Sequence, residues 1–247
     1  MVVIKKKGRS TKKSTVVTIF VVALVITIFL LMTILLLGAL LNKNRESYID
    51  SNVQKLYNDL NEMQTFSLLA EVYGDQMACV AFSSKLMDMD ESIWNLGRKI
   101  DQYRSVSEEF KKNPYYLEQK KIFNENELFY MVLLKQLKVR CNYTQAIVLF
   151  FYQNSQDCKK CDDQSFVLTD INKDIDEELA IFSFDADLNL TSLRVLREFY
   201  QITELPCTIV NDVKMCGMQD KDAILKEICK DQPDIDVCKQ FEDKPAN

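Results

Sequence analysis

The run from Val16 to Leu41, VVTIFVVALVITIFLLMTILLLGALL, contains no charged residue. As a helix rising about 1.5 Å per residue it exceeds the roughly 30 Å of a bilayer's hydrocarbon core and leaves room for tilt. A buried core helix has no need of so long an uncharged stretch, and the apolar part of a cleaved signal peptide is only about 7–15 residues. Residues 16–41 therefore read as an uncleaved, membrane-embedded signal anchor. Lys5, Lys6, Lys7, Arg9, Lys12 and Lys13 precede it with no acid among them. The positive-inside rule then places this basic tail, residues 1–15, in the cytoplasm. Residues 42–247 follow outside, as expected of a single-pass protein of the cell membrane.

That topology gives the remaining composition its meaning. Removing the six amino-terminal cations from the net charge of −5 leaves −11 for residues 42–247. Such a surface has no electrostatic reason to bind nucleic acid or anionic lipid. The chain has no histidine, so serine–histidine and cysteine–histidine nucleophiles and imidazole metal sites are excluded. All eight cysteines (Cys79, Cys141, Cys158, Cys161, Cys207, Cys216, Cys229 and Cys238) lie on the exported side, where an even number points to disulfides.

Residues 42–141 are patterned for helices. Ile49, Val53, Leu56, Leu60 and Met63 repeat at spacings of four and three, and Gly74 marks a stop. A longer seam runs through Cys79, Phe82, Leu86, Met89, Ile93, Leu96, Ile100 and Tyr103. A third runs through Phe123, Glu127, Tyr130, Leu134, Leu137 and Cys141, with Glu127 as its one polar interruption. These predict helices over 44–73, 76–110 and 115–141. If the last two form a hairpin turning near Lys111 to Pro114, Cys79 and Cys141 face each other at its open end and a bridge there is expected; two buried free thiols are the other reading. The heptads also suit coiled-coil self-association.

From Gln145 the texture changes. AIVLFFY, Ala146 to Tyr152, is short, wholly apolar but for its tyrosine hydroxyl, and reads as a central buried strand. A helix to about Leu179, a strand in AIFSFDAD, a helix from Thr191 to Ile202, a hairpin around Asn211–Asp212 and a helix from Asp220 to Lys230 follow. Residues 231–247 read as a polar tail. The order β, α, β, α, β, β, α predicts an α/β mixed sheet with helices on both faces. A two-residue turn at Asn211–Asp212 sets Cys207 opposite Cys216. Cys229 and Cys238 flank a short loop and are expected to tie the tail down.

Three features carry a resemblance to the thioredoxin-like, protein disulfide isomerase-like family over residues 145–230: the strand Ala146–Tyr152, the motif Cys158-Lys159-Lys160-Cys161 opening a helix, and Leu205-Pro206 before the strand Cys207–Val210. The resemblance implies a thioredoxin fold, a cis bond at Pro206, and a loop at Leu205–Pro206 that packs near the cysteines and holds an extended substrate. Familiar members have Trp before the motif and Gly-Pro, Gly-His or Pro-His within it. Here Asp157 precedes, two lysines lie inside, and the first strand lacks the carboxylate that some members use for proton transfer.

Three chemistries suit the Cys158–Cys161 pair. In redox exchange Cys158 would attack, as the more exposed sulfur at a helix amino terminus. The helix dipole and the lysines at 159 and 160 would favour its thiolate, and Cys161 would resolve the mixed disulfide. A permanent crosslink is the plain alternative, and a metal or iron–sulfur site using Cys207 and Cys216 the third; no metal or cofactor is the expectation. Asn142 and Asn189 begin Asn-x-Thr sequons, acceptors only where the host glycosylates. The leading expectation is a membrane-anchored oxidoreductase acting on the thiols or disulfides of exported proteins, with a redox partner received by the helical region. A non-catalytic thioredoxin-fold scaffold or subunit of a membrane complex is the alternative.

Overall fold

The computed structural model describes residues 11–104, 113–153 and 158–242. Residues 105–112, which include the expected helix end and the start of the turn at Lys111, lie outside the described residues. So do Asp157, most of the basic tail, and the side chains of Leu86 and Tyr103. The chain divides into two compact units, residues 1–48 and residues 49–247.

The described part of the first unit, from Thr11, consists of helix. One element, α1, spans Thr11–Tyr73 and runs on into the second unit, so the anchor and the helix expected from residue 44 are continuous. Nothing in NKNRESY breaks a helix, and Asn42 Nδ2 donates to Glu46 Oε1 across one turn at 2.8 Å. From Val17 to Leu41 the large apolar side chains are exposed, and this is a helix long and apolar enough to span a membrane. The hydroxyls within it donate back to its own carbonyls, Thr27 to Ala23 and Thr33 to Leu30, each at 2.8 Å. Hydrocarbon offers them no other partner.

In the second unit the last turns of α1 pack with α2 (Asp75–Arg104) and α3 (Pro114–Cys141). Gly74 turns α1 into α2 at φ +92°, a conformation glycine adopts without strain. Asn113 caps α3, its side chain accepting from Tyr115 N, with Pro114 at the first turn. Ile49, Val53, Leu56, Leu60 and Met63 share one buried core with Phe82, Met89, Ile93, Leu96 and Ile100 of α2 and Tyr130, Leu134 and Leu137 of α3. The heptad seams thus pack against one another within the chain. Tyr115 OH donates to Asp50 at 2.9 Å and Ser67 Oγ to Gln136 at 3.4 Å, so α1 and α3 run parallel; Cys79 near the start of α2 is bonded to Cys141 at the end of α3, so α2 is antiparallel to both.

Four strands follow, β1 (Ala146–Tyr152), β2 (Leu179–Asp185), β3 (Cys207–Val210) and β4 (Val213–Cys216), in the order β2-β1-β3-β4. β1 is parallel to β2 and antiparallel to β3, and β3 is antiparallel to β4, so the sheet is mixed. Alternation divides β1 cleanly. Ile147, Leu149 and Phe151 face the core shared with α3 and with α5 (Thr191–Phe199). Ala146, Val148 and Phe150 face α4 (Lys159–Ile175) and α6 (Lys221–Asp231). Asn211 and Asp212 form the hairpin turn at φ +49° and +66°, the left-handed pair such a turn requires. Asp220 caps α6 through Ala223 N at 2.7 Å.

Three boundaries differ from expectation. α4 stops at Ile175, and a single 3₁₀ turn, Asp176–Glu178, leads into β2. α5 ends at Phe199 because Gln201 takes φ +52°. The supposed polar tail contains a helix, α7 (Asp236–Glu242). Ile235 and Cys238 are buried there, and Cys238 is bonded to Cys229 of α6. The segment lacks a long apolar period, so covalent attachment and two buried residues fix what pattern alone does not reveal.

Candidate functional site

Cys158 is the N-cap of α4, immediately beyond the carboxyl end of the central strand's connection, and its side chain makes no capping hydrogen bond. Cys161 N donates to Cys158 O at 3.1 Å, closing the first turn. The two sulfurs are bonded to each other. Lys159 and Lys160 are exposed, with Asp162 in the same turn. Cys158 retains 8% exposure and Cys161 2%. Cys158 is the more accessible of the pair, yet it is buried, which corrects the expectation of an open attacking sulfur. Beyond Cys158, the helix buries Cys161, Gln164, Leu168, Ile171 and Ile175 as one inward stripe.

The Leu205–Pro206 bond is cis. Pro206 is buried and Leu205 half-buried. The Pro206 carbonyl accepts from Gly217 N at 2.8 Å, so its outer partner is the end of the hairpin. Of the two residues expected to hold a substrate backbone, that carbonyl is already engaged. A hydrogen-bond chain links this corner to α4. Gln219 N donates to Gln164 Oε1 at 2.7 Å, and Gln219 Nε2 donates to Cys216 O at 2.9 Å. Gln164, fully buried one turn after Cys161, thereby ties the helix carrying the pair to the strand end beside the proline. Sequence reasoning passed over Gln164; a long amide on an otherwise apolar helix stripe was the available signal.

The other cysteines form three bridges, Cys79–Cys141, Cys207–Cys216 and Cys229–Cys238. Cys207 and Cys216 are direct partners in the β3–β4 register. No free cysteine and no cluster of three metal-ligating side chains occurs among the described residues. Asn142 and Asn189 are both exposed and both left-handed, at φ +52° and +51°. Asn142 ends α3 and Asn189 ends a 3₁₀ turn, positions that suit asparagine without reference to sugar.

A second polar constellation lies where α3 meets the outer edge of β2. Lys120, Asn124 and Glu127 recur at four and three, so one face of α3 presents all three to the strand. Lys120 Nζ donates to the Asp185 carboxylate, both side chains being nearly sealed from solvent. Asp185 N donates to Asn124 Oδ1 at 3.0 Å and Ser183 N to Glu127 Oε1 at 3.1 Å. These are alternate amides of an edge strand, and side chains satisfy them where a neighbouring strand otherwise would. Glu127, the polar break in the third apolar seam, is therefore an edge cap. The Lys120 ammonium also lies 5.3 Å from the Tyr152 ring and 6.0 Å from that of Tyr116.

A cavity of about 970 Å³ opens between α2, α3 and this strand edge, with Trp94, Gly97, Phe123 and Ile181 among its walls. Neither member of the Cys158–Cys161 pair lines it. Farther along α3, Lys135 donates to Asp212 of the hairpin turn at 2.5 Å and to Tyr200 at 3.1 Å. Burial opposes charge on Lys135, but the bonds to Asp212 and Tyr200 outweigh it and hold its pKa above the ordinary lysine value. Burial likewise opposes charge on Asp212, and the bonds from Lys135 and Tyr200 hold its pKa below the ordinary carboxylate value. Burial raises the Tyr200 phenol, and its bond to Asp212 adds to this.

No family model matches the chain, and no curated protein matches it. A solved structure titled "Structure of a malarial protein" is similar at 19% identity and a TM-score of 0.31, over 36% of this chain and 98% of its own.

Proposed function

We propose that residues 145–230 form a thioredoxin-like domain whose Cys158–Cys161 pair exchanges disulfides with exported proteins. Residues 16–41 would anchor it, with the amino terminus cytoplasmic. The observation that carries this reading is a cystine at the amino terminus of α4, directly after the central strand. The strand order β2-β1-β3-β4 and the proline opening β3 support it. First-turn amides and the helix dipole favour a thiolate at Cys158, and a favoured thiolate makes its disulfide a better electron acceptor.

In the proposed step a substrate thiolate attacks Cys158 Sγ. The Cys158–Cys161 bond breaks, its electron pair leaves on Cys161 Sγ, and a mixed disulfide forms. A second substrate thiolate then attacks the substrate sulfur of that bond and releases Cys158 as thiolate. The substrate is oxidised by two electrons and the pair reduced by two, and a second protein disulfide restores the cystine. The resemblance assigns the substrate backbone to this loop, and Leu205 is the position left for it, because the Pro206 carbonyl is occupied. Cys158→Ser is expected to abolish oxidative refolding of a reduced substrate protein and insulin reduction; equal activity in the variant removes the reading.

The low exposure of Cys158 favours a second reading, a recognition module that binds without turnover. Recovery of partners from membranes with both cysteines replaced by alanine separates the two. A binding module retains its partners, whereas an exchange enzyme loses its trapped mixed disulfides.

A further inference from the structure

The cavity beside α3 exposes a length of sheet edge that Asn124 and Glu127 leave uncapped. In a strand each residue turns its N–H and C=O to one side, and successive residues alternate sides. Ser183 N and Asp185 N point away from β1, toward Glu127 and Asn124. Ile181, two residues earlier, therefore points its N–H and C=O the same way, while Leu179 N is already bonded to Asp176 O. Among the described residues no group bonds to the outward N–H or C=O of Ile181. Ile181 lines the cavity, so its amide groups open into it.

The cavity is a slot along that edge. On one side stand Trp94 of α2 with Phe123 and Tyr130 of α3; on the other stand Ser165, Thr169 and Asn172, at spacings of four and three on one face of α4. β2 already divides its side chains between these walls, Ala180 and Phe182 joining the core under α3 and Leu179 and Ile181 the core under α4. The outward groups of Ile181 and the outward carbonyl of Ser183 repeat at about 6.6 Å, a spacing that the main chain of another strand matches and a compact ligand does not. The volume of about 970 Å³ stands at the upper end of the roughly 300–1,000 Å³ of ligand sites. Asp176 is exposed at the Leu179 end of the slot, where a basic residue is favoured. The β2 of a second copy does not fit, because its own α3 and α4 flank it in the same way. We propose that β2 receives an extended segment of another protein as an added strand. That segment alternates apolar side chains, toward Trp94 and Phe123, with polar ones, toward Ser165 and Thr169, and carries a flanking cation. This goes beyond disulfide exchange, since neither Cys158 nor Cys161 lines the slot.

The probe is the cysteine-free peptide acetyl-KVTVTVK-amide, added to the full chain in nanodiscs of zwitterionic lipid. Trp94 is the chain's one tryptophan and is 41% exposed in the slot wall. Binding is expected to shift its emission to the blue and to slow hydrogen exchange at Ile181 at least tenfold. I181P removes the outward N–H at an edge position that admits proline, and T169W fills the slot from α4. Each is expected to weaken binding at least tenfold, with retained bridges in disulfide mapping and an unaltered melt to show that the variants fold. The same peptide N-methylated at every valine and threonine keeps its side chains but lacks those donors. It is expected to bind at least tenfold more weakly, a comparison that needs no variant to fold. No binding of the parent peptide overturns the proposal, as does binding unchanged in both variants. Equal binding of the N-methylated peptide overturns it by making the slot a side-chain pocket. An Ile181 amide already protected without peptide overturns it as well: protection at every protein concentration means that the chain itself fills the slot, and protection that rises with concentration puts a second copy there.

Discussion

Replacing Lys120 with methionine tests the contact between the helical part and the sheet. The ammonium and the Asp185 carboxylate are 4% and 1% exposed, so K120M leaves a carboxylate stranded in the interior. Breaking a buried pair by removing one partner costs about 3–5 kcal/mol, and loss of the nearby Tyr152 and Tyr116 rings from the cation adds little. Asp185 also closes the turn that follows β2, where its Oδ1 accepts from Asp187 N at 2.9 Å. Asparagine preserves that bond without the charge. The double variant K120M/D185N is therefore expected to lie within about 1–2 kcal/mol of the wild type, a coupling of several kcal/mol between the two sites. Denaturant titration of the full chain in micelles, followed through Trp94, the chain's one tryptophan, measures all four corners of the cycle. Single variants within about 1 kcal/mol of the wild type, or a double variant that sums both losses, would refute this reasoning.

Other perturbations follow from the same geometry. Replacing both Cys79 and Cys141 with alanine opens a loop of 62 residues and is expected to cost about 4 kcal/mol in a melt by circular dichroism. E127A strips the acceptor from Ser183 N; a loss of about 1–3 kcal/mol is expected, with hydrogen exchange accelerated at Ser183 more than at Asp185. Asp212, its pKa held low, contributes stability that is complete above the ordinary carboxylate value and is lost as pH falls through the lowered one. Lys135, held high, contributes below the ordinary lysine value and loses its share as pH rises through the raised one. D212N is expected to flatten the acid limb of the stability profile by well under about 1 kcal/mol, since the pair is largely exposed.

Periodicity carried much of the fold. The three apolar seams gave helix positions because spacings of three and four admit one geometry, and the unbroken apolar run Ala146–Tyr152 gave a strand buried on both faces. The expected boundary between the anchor, ending at Leu41, and the helix from residue 44 follows the change of polarity there, although no residue in it opposes helix. The edge cap escaped notice for a different reason. Glu127 is the polar break in an apolar seam and Asn124 lies outside that seam, and only the position of β2 beside α3 shows that both meet its free amides. Lys120 and Asp185 are 65 residues apart, with no local pattern to pair them. The burial of Cys158 depends likewise on tertiary packing, whereas its place at a helix amino terminus follows from the motif.

The reduction potential of the Cys158–Cys161 couple tests the central claim most directly. It is measured by equilibrating the full chain in glutathione buffers and mapping alkylated cysteines by mass, which separates this pair from the other three bridges. A thiolate stabilised at the start of α4 places the couple between about −200 and −120 mV, the range of oxidases and isomerases. A value below about −300 mV, with the pair as resistant to reduction as Cys79–Cys141, would contradict it and leave the pair a fixed crosslink.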